Sequence, residues 1–554
     1  MRFFGIPGPR DSAYFFIGDA LIPIRPPIAR AVFENGALLG ADDLKSFHAS
    51  LNFKNGVGTV RFSTNAAEYR IQTRIAMSHF VLQRITLQTN GSKIRFLLPA
   101  SAQGTVKLNS ILLLINGKPE QPDLHSVDDG VMLDLPQAGQ CELMTCVSVG
   151  SQSGHADFDA LWKQADRDWE SKWKTDIVIQ GPAEDQRAVR SFLFNLYQSA
   201  PAVMPPMAAS SGLYRGHRFW DAEAWMLPVY ALIDSAAAKR STAWRIRNTH
   251  NGFVPWEAGP NGQDCTDKNF RRALHQVGWV SWWLQKAAAL GLAAESDCLI
   301  LQRQLAKQVE TRAAVQNNVV HFLKVESPDE GEERDDDLTT NLLAARLLEN
   351  YSDNLGIKLR AGKLKIAIPR AQDGLPATYN HDSIRTYTQT AALLALYPLE
   401  YRFDNATAEK MFDRYKNLTE ASGPAMSDSI HAVIAARLGR KQEAYEFWQR
   451  SWRRFLDPDS MVFNERAARP SGYFATGAAG CLQTVLYGFL GIRISNDQGK
   501  IGTASKPLLG GWRLDAKPNL PSGWSSITFK GLQLFDGRYT IHATHSSVTI
   551  TKGG

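Results

Sequence analysis

The stretch HQVGWVSWWLQKAAALGLAAESDCLILQRQLAKQ, residues 275–308, decides the fold class. It is an apolar run too long for a strand, broken once at Leu290-Gly291, after which a second helical pattern begins. Glycine supplies the left-handed cap that ends a helix, so the stretch reads as two helices folded back on each other. The same rhythm returns at Ser427 to Leu438, a stop at Gly439, and a restart toward Phe455.

Working outward from these pairs, residues 184–494 read as helical throughout. About 310 residues at roughly 25 per helix and loop make about a dozen helices. That number suits an all-α (α/α)6 barrel of six helical hairpins. It also suits an α-solenoid, but no fixed-period self-similarity accompanies it.

Before this region the periodicity is two. TVRFST (59–64), EYRIQTR (68–74), HFVLQRITLQT (79–89) and KIRFLLPA (93–100) are short alternating segments, and residues 1–165 read as an N-terminal β-sandwich. Asn90-Gly91 and Asn116-Gly117 lie between apolar runs and predict hairpin turns. DFDALWKQADRDWESKWKT, residues 157–175, is amphipathic, and 166–183 reads as a helical linker. The final 495–554 return to a β pattern with a hairpin expected at Asp536-Gly537, giving a small C-terminal β domain. The chain is therefore expected to be multidomain, as its 554 residues also require.

The formal net charge is +7 and the isoelectric point about 9.0. The basic residues are scattered, and the densest charge run, Glu326 to Asp337, is acidic, so nucleic acid is not the expected partner. No 18 consecutive residues are apolar, which gives no membrane span. The start is broken by Pro7, Gly8, Pro9, Arg10 and Asp11 and makes a poor signal-peptide core. A cytoplasmic protein and a periplasmic or secreted one after signal removal would both read this way. Five cysteines without a C-x-x-C pair argue against a disulfide framework, although Cys141 and Cys146 are near enough in sequence to bridge.

Three clusters carry chemistry. GHRFWDAEAWMLP, residues 216–228, interleaves Trp220 and Trp225 with Asp221 and Glu223. A carboxylate accepts sugar hydroxyls while an indole covers the ring face, but acids also begin helices for electrostatic reasons. PWEAGPNGQD, residues 255–264, repeats the pairing at Trp256 and Glu257 in a glycine-rich loop, or is a plain surface turn. VESPDEGEERDDDLTTN, residues 325–341, crowds eight acids together. Crowding and burial raise a carboxyl's pKa and favour a proton donor, whereas an exposed run is only a solvated loop. The spacing does not fit an EF-hand calcium loop. Serine-hydrolase, zinc-protease, P-loop and dinucleotide fingerprints are missing from the sequence. No metal or organic cofactor is expected.

Taken in order, these segments resemble glycoside hydrolase family 65, and its hydrolase branch (kojibiose hydrolase-like and protein-glucosylgalactosylhydroxylysine glucosidase-like) over roughly residues 210–495. The resemblance implies a glucose pocket with Trp220 and Asp221, then Trp256 and Glu257, and a catalytic acid at Glu330 in SPDE. Asn341 matches a further Asn of the family. RTYTQTAALLALYPLEY, residues 385–401, carries a sugar-binding Gln at Gln389, preceded by Thr388 where the family has Lys and followed by Ala391 where it has Asp. Gly331 and Glu332 replace the family's Tyr and His after the acid. VFNERAARP, residues 462–470, resembles the stretch in which the hydrolases hold a second carboxylate, here Glu465.

The implied activity is inverting hydrolysis of an α-glucoside, with Glu330 as general acid and Glu465 as general base. The two carboxyls would then stand about 6.5–9.5 Å apart. The alternatives are a disaccharide phosphorylase and a catalytically inactive carbohydrate-binding homologue. Against the phosphorylase, Pro424 and Ala425 replace two Ser, and Phe474 replaces a His, of the phosphate side. His431 reads as a structural residue on an apolar helix face.

Overall fold

The computed structural model describes residues 13–17, 20–24, 31–76, 80–98, 106–127, 130–135, 137, 139–149, 157–329, 333–383, 386–458, 461–467, 469–495, 504–508, 511–535 and 537–553. The chain divides into two compact units, Met1–Lys174 with Ala209–Gly212, and Thr175–Ala208 with Leu213–Gly554.

In the first unit, a seven-stranded antiparallel sheet and a five-stranded one share a core. The strand Ala67–Ala76 alternates buried and exposed positions, placing Tyr69 and Ile71 on the inner face. They meet Phe96 and Leu98 of Ile94–Leu98, and Leu133 and Leu135 of Gly130–Leu135, from the other sheet. Two apolar faces closed on each other make the sandwich expected from the period-two pattern. Asn116-Gly117 forms a two-residue hairpin, with Ile115 opposite Lys118 and φ of 49° and 79°. Asn90-Gly91 does not form one. The strands before and after it, Phe80–Thr89 and Ile94–Leu98, belong to different sheets, so this turn carries the chain across the sandwich. All five cysteines are free thiols.

The stretch 166–183 is not helical throughout. The helix Phe158–Lys172 ends, and Asp176–Gln180 is a strand paired with Ser526–Leu534. Its alternating burial is what the five residues of DIVIQ favour, a β-branched run that suits a half-buried strand. It completes a four-stranded sheet with Gly537–Thr544 and Val548–Gly553. The hairpin between Leu534 and Gly537 is present, while Asp536 lies outside the described residues.

The second unit holds most of the twelve α-helices among the described residues. His275–Ala289 turns back into Glu295–Glu310 through Gly291 at φ 65°, and Leu292 N–H closes on Ala287 O at 2.8 Å. Ser427–Arg437 turns into Lys441–Arg453 in the same way, with Gly439 at φ 79° and Arg440 N–H on Ala435 O at 2.9 Å.

The two helices of each pair differ. His275 through Leu284 and Ser427 through Ala436 are buried on every side, whereas their partners bury one face only. A helix apolar all round is an interior helix. The interior is packed with indoles, and Trp225, Trp244, Trp279, Trp283, Trp448, Trp452 and Trp524 are all fully buried. Several of their N–H groups are satisfied, Trp283 by Thr242 Oγ1 at 2.9 Å and Trp448 by Cys481 O at 3.1 Å.

Candidate functional site

Asp221 stands at the start of an interior helical run, whereas Glu257, Gln389 and Glu465 lie in loops between the helices. Asp221 leads into a π-helical turn, Ala222–Met226, continued by Leu227–Ile233. Such turns widen a helix locally and recur at functional sites. Gln483 satisfies carbonyls of this turn, donating to Ala224 O at 2.9 Å and Trp225 O at 2.7 Å.

Asp221 is buried and accepts one hydrogen bond from Thr476 Oγ1 at 2.9 Å, from the start of the helix Ala475–Gln483. Burial pushes its carboxyl up to about 6 against the Thr476 bond, with Glu465 and Glu223 adding repulsion. Glu223, two residues on, is treated in the opposite way. It is fully buried, but Arg218 Nη2 stands at 2.7 Å and Arg245 Nε at 2.8 Å. Burial alone would raise its pKa, and the two guanidiniums together hold it below the ordinary value.

Glu257 receives Arg215 Nη2 at 2.8 Å and His217 Nδ1 at 2.7 Å on the same oxygen. Trp256, its neighbour, stacks on Phe270 at 4.0 Å and meets Phe219 edge-on at 5.1 Å. Trp220 is buried against Trp225, His275 and Trp279. Its surroundings are those of a core indole.

Glu465 is buried and accepts a hydrogen bond from Tyr214 OH at 2.8 Å. Tyr214 and Arg215 are consecutive non-glycine residues in the left-handed region, at φ 59° and 53°. Each such residue costs about 1–3 kcal/mol and persists where the surroundings demand it. Here they turn Tyr214 toward Glu465 and Arg215 toward Glu257.

Glu330 lies outside the described residues, as do Gly331 and Glu332. Its neighbour Asp329 is buried and takes Gln389 N–H on Oδ1 at 3.2 Å. Burial pushes Asp329 up to about 7, with Asp337 and Glu420 adding and the backbone N–H groups of Gln389 and Thr388 opposing. Gln389 in turn donates Nε2 to Pro328 O at 2.5 Å, while its Oε1 is buried without a partner among the described residues. Thr388 is half-buried, and its carbonyl oxygen would lie 2.2 Å from any Cβ added at Gly423, so only glycine lets the two segments pass. Asp337 caps the helix Leu338–Tyr351 by accepting Thr340 N–H at 2.8 Å, and burial pushes it up to about 6. Asn341 donates Nδ2 to Asp336 Oδ1 at 3.1 Å and Ala367 O at 2.8 Å, while its Oδ1 is buried without a partner among the described residues.

These contacts close a ring. Glu326 O meets His275 Nδ1 at 3.3 Å, and His275 packs on Trp220 beside Asp221. Thr476 joins Asp221, and Phe474 N–H binds Phe463 O two residues before Glu465. Glu465 O accepts Ala425 N–H at 2.8 Å, Ser427 Oγ accepts Thr390 N–H at 2.8 Å, and Gln389 returns to Asp329. Segments some 250 residues apart in sequence thus meet at one end of the interior helices, as the Tyr214–Glu465 pair, 251 residues apart, illustrates.

Tyr214, Arg215, His217, Thr476 and Asp329 were not singled out from the sequence. Asp329 carried a signal in its place inside the acidic run, and His217 in its place inside the 216–228 cluster. His431 is buried, edge-on to Phe447 and 3.6 Å from Asp428, as a structural histidine would be. Among the described residues, the group with metal-ligand chemistry is Asp123, His125 and Asp134, in the five-stranded sheet of the first unit. Arg95 already binds Asp134 there. No helix among the described residues is long and apolar enough to cross a membrane.

The resemblance to glycoside hydrolase family 65 is borne out by comparison with known proteins. Residues 361–465 match the Glycosyl hydrolase family 65 central catalytic domain. A kojibiose hydrolase of Mucilaginibacter mallensis is 28% identical over 420 residues, covering 68% of this chain and 58% of that one. A protein-glucosylgalactosylhydroxylysine glucosidase of Dictyostelium discoideum is 24% identical over 445 residues, covering 71% and 58%. The chain thus spans under two thirds of the length of these relatives. A solved structure described as a putative kojibiose phosphorylase from human microbiome shares the fold, with TM-score 0.76 and 16% identity over 100% of this chain and 89% of that one.

Proposed function

We infer that the chain is an inverting glycoside hydrolase that releases glucose from an α-glucoside of the kojibiose or glucosyl-galactose type. Residues 184–494 would be its catalytic domain, an (α/α)6 barrel whose inner helices are those buried on every side. Glu330 gives its proton to the leaving oxygen as the glycosidic bond breaks. Glu465 takes a proton from the water that attacks the anomeric carbon from the opposite face, so the product is the β anomer. Asp221 and Glu257 hold the hydroxyls of the glucose, with Gln389 offering its unpartnered Oε1. Trp256 is better placed than Trp220 to cover a sugar, because it is only half-buried.

The observation that carries this reading is Glu465. It is a buried carboxylate oriented by a phenol, and it shares the neighbourhood of Asp221. Ala425 N–H binds its backbone carbonyl, and neither Ala425 nor the preceding Pro424 offers a side-chain donor to a phosphate dianion. A carboxylate there repels an anion and activates water. Glu330→Gln tests the other half of the pair. Its kcat on an unactivated α-glucoside should fall at least about a hundredfold with the fold intact. Near-normal turnover would reduce Glu330 to acidic surface.

A further inference from the structure

The helices that present the candidate site at their starts end in a different chemistry. Lys286 lies in the last turn of His275–Ala289, Arg346 in the second half of Leu338–Tyr351, Arg437 ends Ser427–Arg437, and Arg493 follows Thr484–Phe489. All four are half-buried. One carboxylate, Glu400, stands among them: it pairs with Arg437 Nη1 at 2.7 Å and is an electrostatic neighbour of Lys286, Arg346 and Arg493. From His275 to Lys286 is eleven helical steps, so this cluster lies roughly 16 Å from the candidate site, at the other end of the same helix.

Cations near helix ends ordinarily serve the last carbonyls. Arg493 does so, donating to Tyr487 O at 3.1 Å and Ile492 O at 2.8 Å. The others do not. Lys286 Nζ lies 4.7 Å over the Trp282 ring and makes no hydrogen bond or ion pair with any described residue. Arg346 uses only Nε, on Gln285 Oε1 at 2.7 Å. Arg437 lies 4.5 Å over Tyr397, and its Nε has no hydrogen-bond partner among the described residues. Arg437 takes the one carboxylate and Arg493 the helix-end carbonyls, which leaves Lys286 Nζ and both Nη groups of Arg346 without a hydrogen bond or ion pair among the described residues.

We propose that this cluster is a binding site for a small phosphate-class oxyanion, held by Lys286, Arg346 and Arg437. A dianion matches the surplus charge, and guanidinium forks match its oxygens in pairs. Burial, and for Lys286 and Arg493 the neighbouring guanidiniums, lower the pKa of Lys286, Arg346 and Arg493, which an anion would relieve. The site is separate from the hydrolase reading and stands or falls without it.

The test is thermal unfolding of the full chain titrated with inorganic phosphate at constant ionic strength, with chloride as the control. A saturable rise in Tm with phosphate alone is expected. Lys286→Met, which keeps the stem over Trp282, and Arg346→Gln should each weaken the phosphate response at least about tenfold, the effect of losing a charged hydrogen bond. Without phosphate, both variants should melt at or above the parent temperature, because each removes a repelling cation. No saturable rise would overturn the proposal. A rise that survives both substitutions would place phosphate elsewhere, the candidate active site included, and would also overturn it. A fall of several degrees in both variants without phosphate would make the cations part of the fold and end the argument.

Discussion

Asp221 and Glu223 lie two residues apart in one motif and are both buried, yet their surroundings differ completely. Beneath the site, Glu223 is locked between two buried guanidiniums, and Arg218 lies 5.2 Å over the Trp244 ring. At the site, Asp221 pairs with no cation among the described residues and is held by the Thr476 hydroxyl and its own backbone N–H. The same contrast runs through the acidic run, where Asp329 and Asp337 are buried without an ion pair among the described residues and are pushed up to about 7 and about 6. A carboxylate with buried cations is spent on structure. One buried without them can still bind a hydroxyl or hold a proton. The motif is therefore two layers, a paired layer and an unpaired one at the candidate site.

The contrast breaks first at Glu223. Glu223→Gln leaves two buried guanidiniums without a counter-charge and should cost about 3–5 kcal/mol in urea unfolding. A loss under about 1 kcal/mol would mean that the two Arg find other partners and that the paired layer is not what holds the turn.

The unpaired layer makes the opposite demand, on pH. For Asp337, the unfolded chain releases the proton near pH 4, while the folded chain keeps it to about 6. The folded state binds the proton more tightly, so its stability falls as pH rises through that window and is then constant. Asp337→Asn can still cap the helix through its side-chain oxygen, and it should remove this slope, gaining about 2 kcal/mol at pH 8 relative to pH 4. An unchanged slope would show that Asp337 is ionised and paired like Glu223.

The smallest effect tests how Glu465, whose ion-pair partner is the half-buried Arg466 at 3.9 Å, is aimed. Tyr214→Phe removes the hydroxyl on Glu465 and should lower kcat about tenfold, with KM little changed, as for a residue that orients a base. An equal rise in KM with kcat intact would make Tyr214 a ligand contact instead.

Much of the fold was legible because its signals are local. Gly291 and Gly439 cap helices where the sequence placed the breaks, and Asn116-Gly117 is the expected hairpin. Asn90-Gly91 has the same residue types but changes sheet, because a turn signal fixes the backbone bend and not the partner strand. Asp176–Gln180 was hidden in the same way: five alternating residues after an amphipathic helix pair with a strand some 350 residues later, as Asp176 does with Lys530.

At the site, acid–aromatic crowding located Asp221, Glu257 and Asp329's loop, and the ring of contacts joins them. It did not separate Asp221 from Glu223, since the separation comes from which of the two acids Arg218, in the same motif, and Arg245, 22 residues on in sequence, fold back to meet. Nor did it reveal Tyr214 or Thr476, whose importance comes wholly from partners 251 and 255 residues away. Trp220 read as a sugar platform, and the structure buries it against two indoles, Trp225 and Trp279, and the His275 imidazole.

The central claim is that water, not phosphate, is the acceptor at Glu465. It is tested most directly by incubating kojibiose or a glucosyl-galactose with the protein, with and without inorganic phosphate, and resolving the products by anomer. The account predicts free β-glucose at equal rates in both reactions. β-Glucose 1-phosphate formed only when phosphate is present would contradict it and remove Glu465 from the role of base.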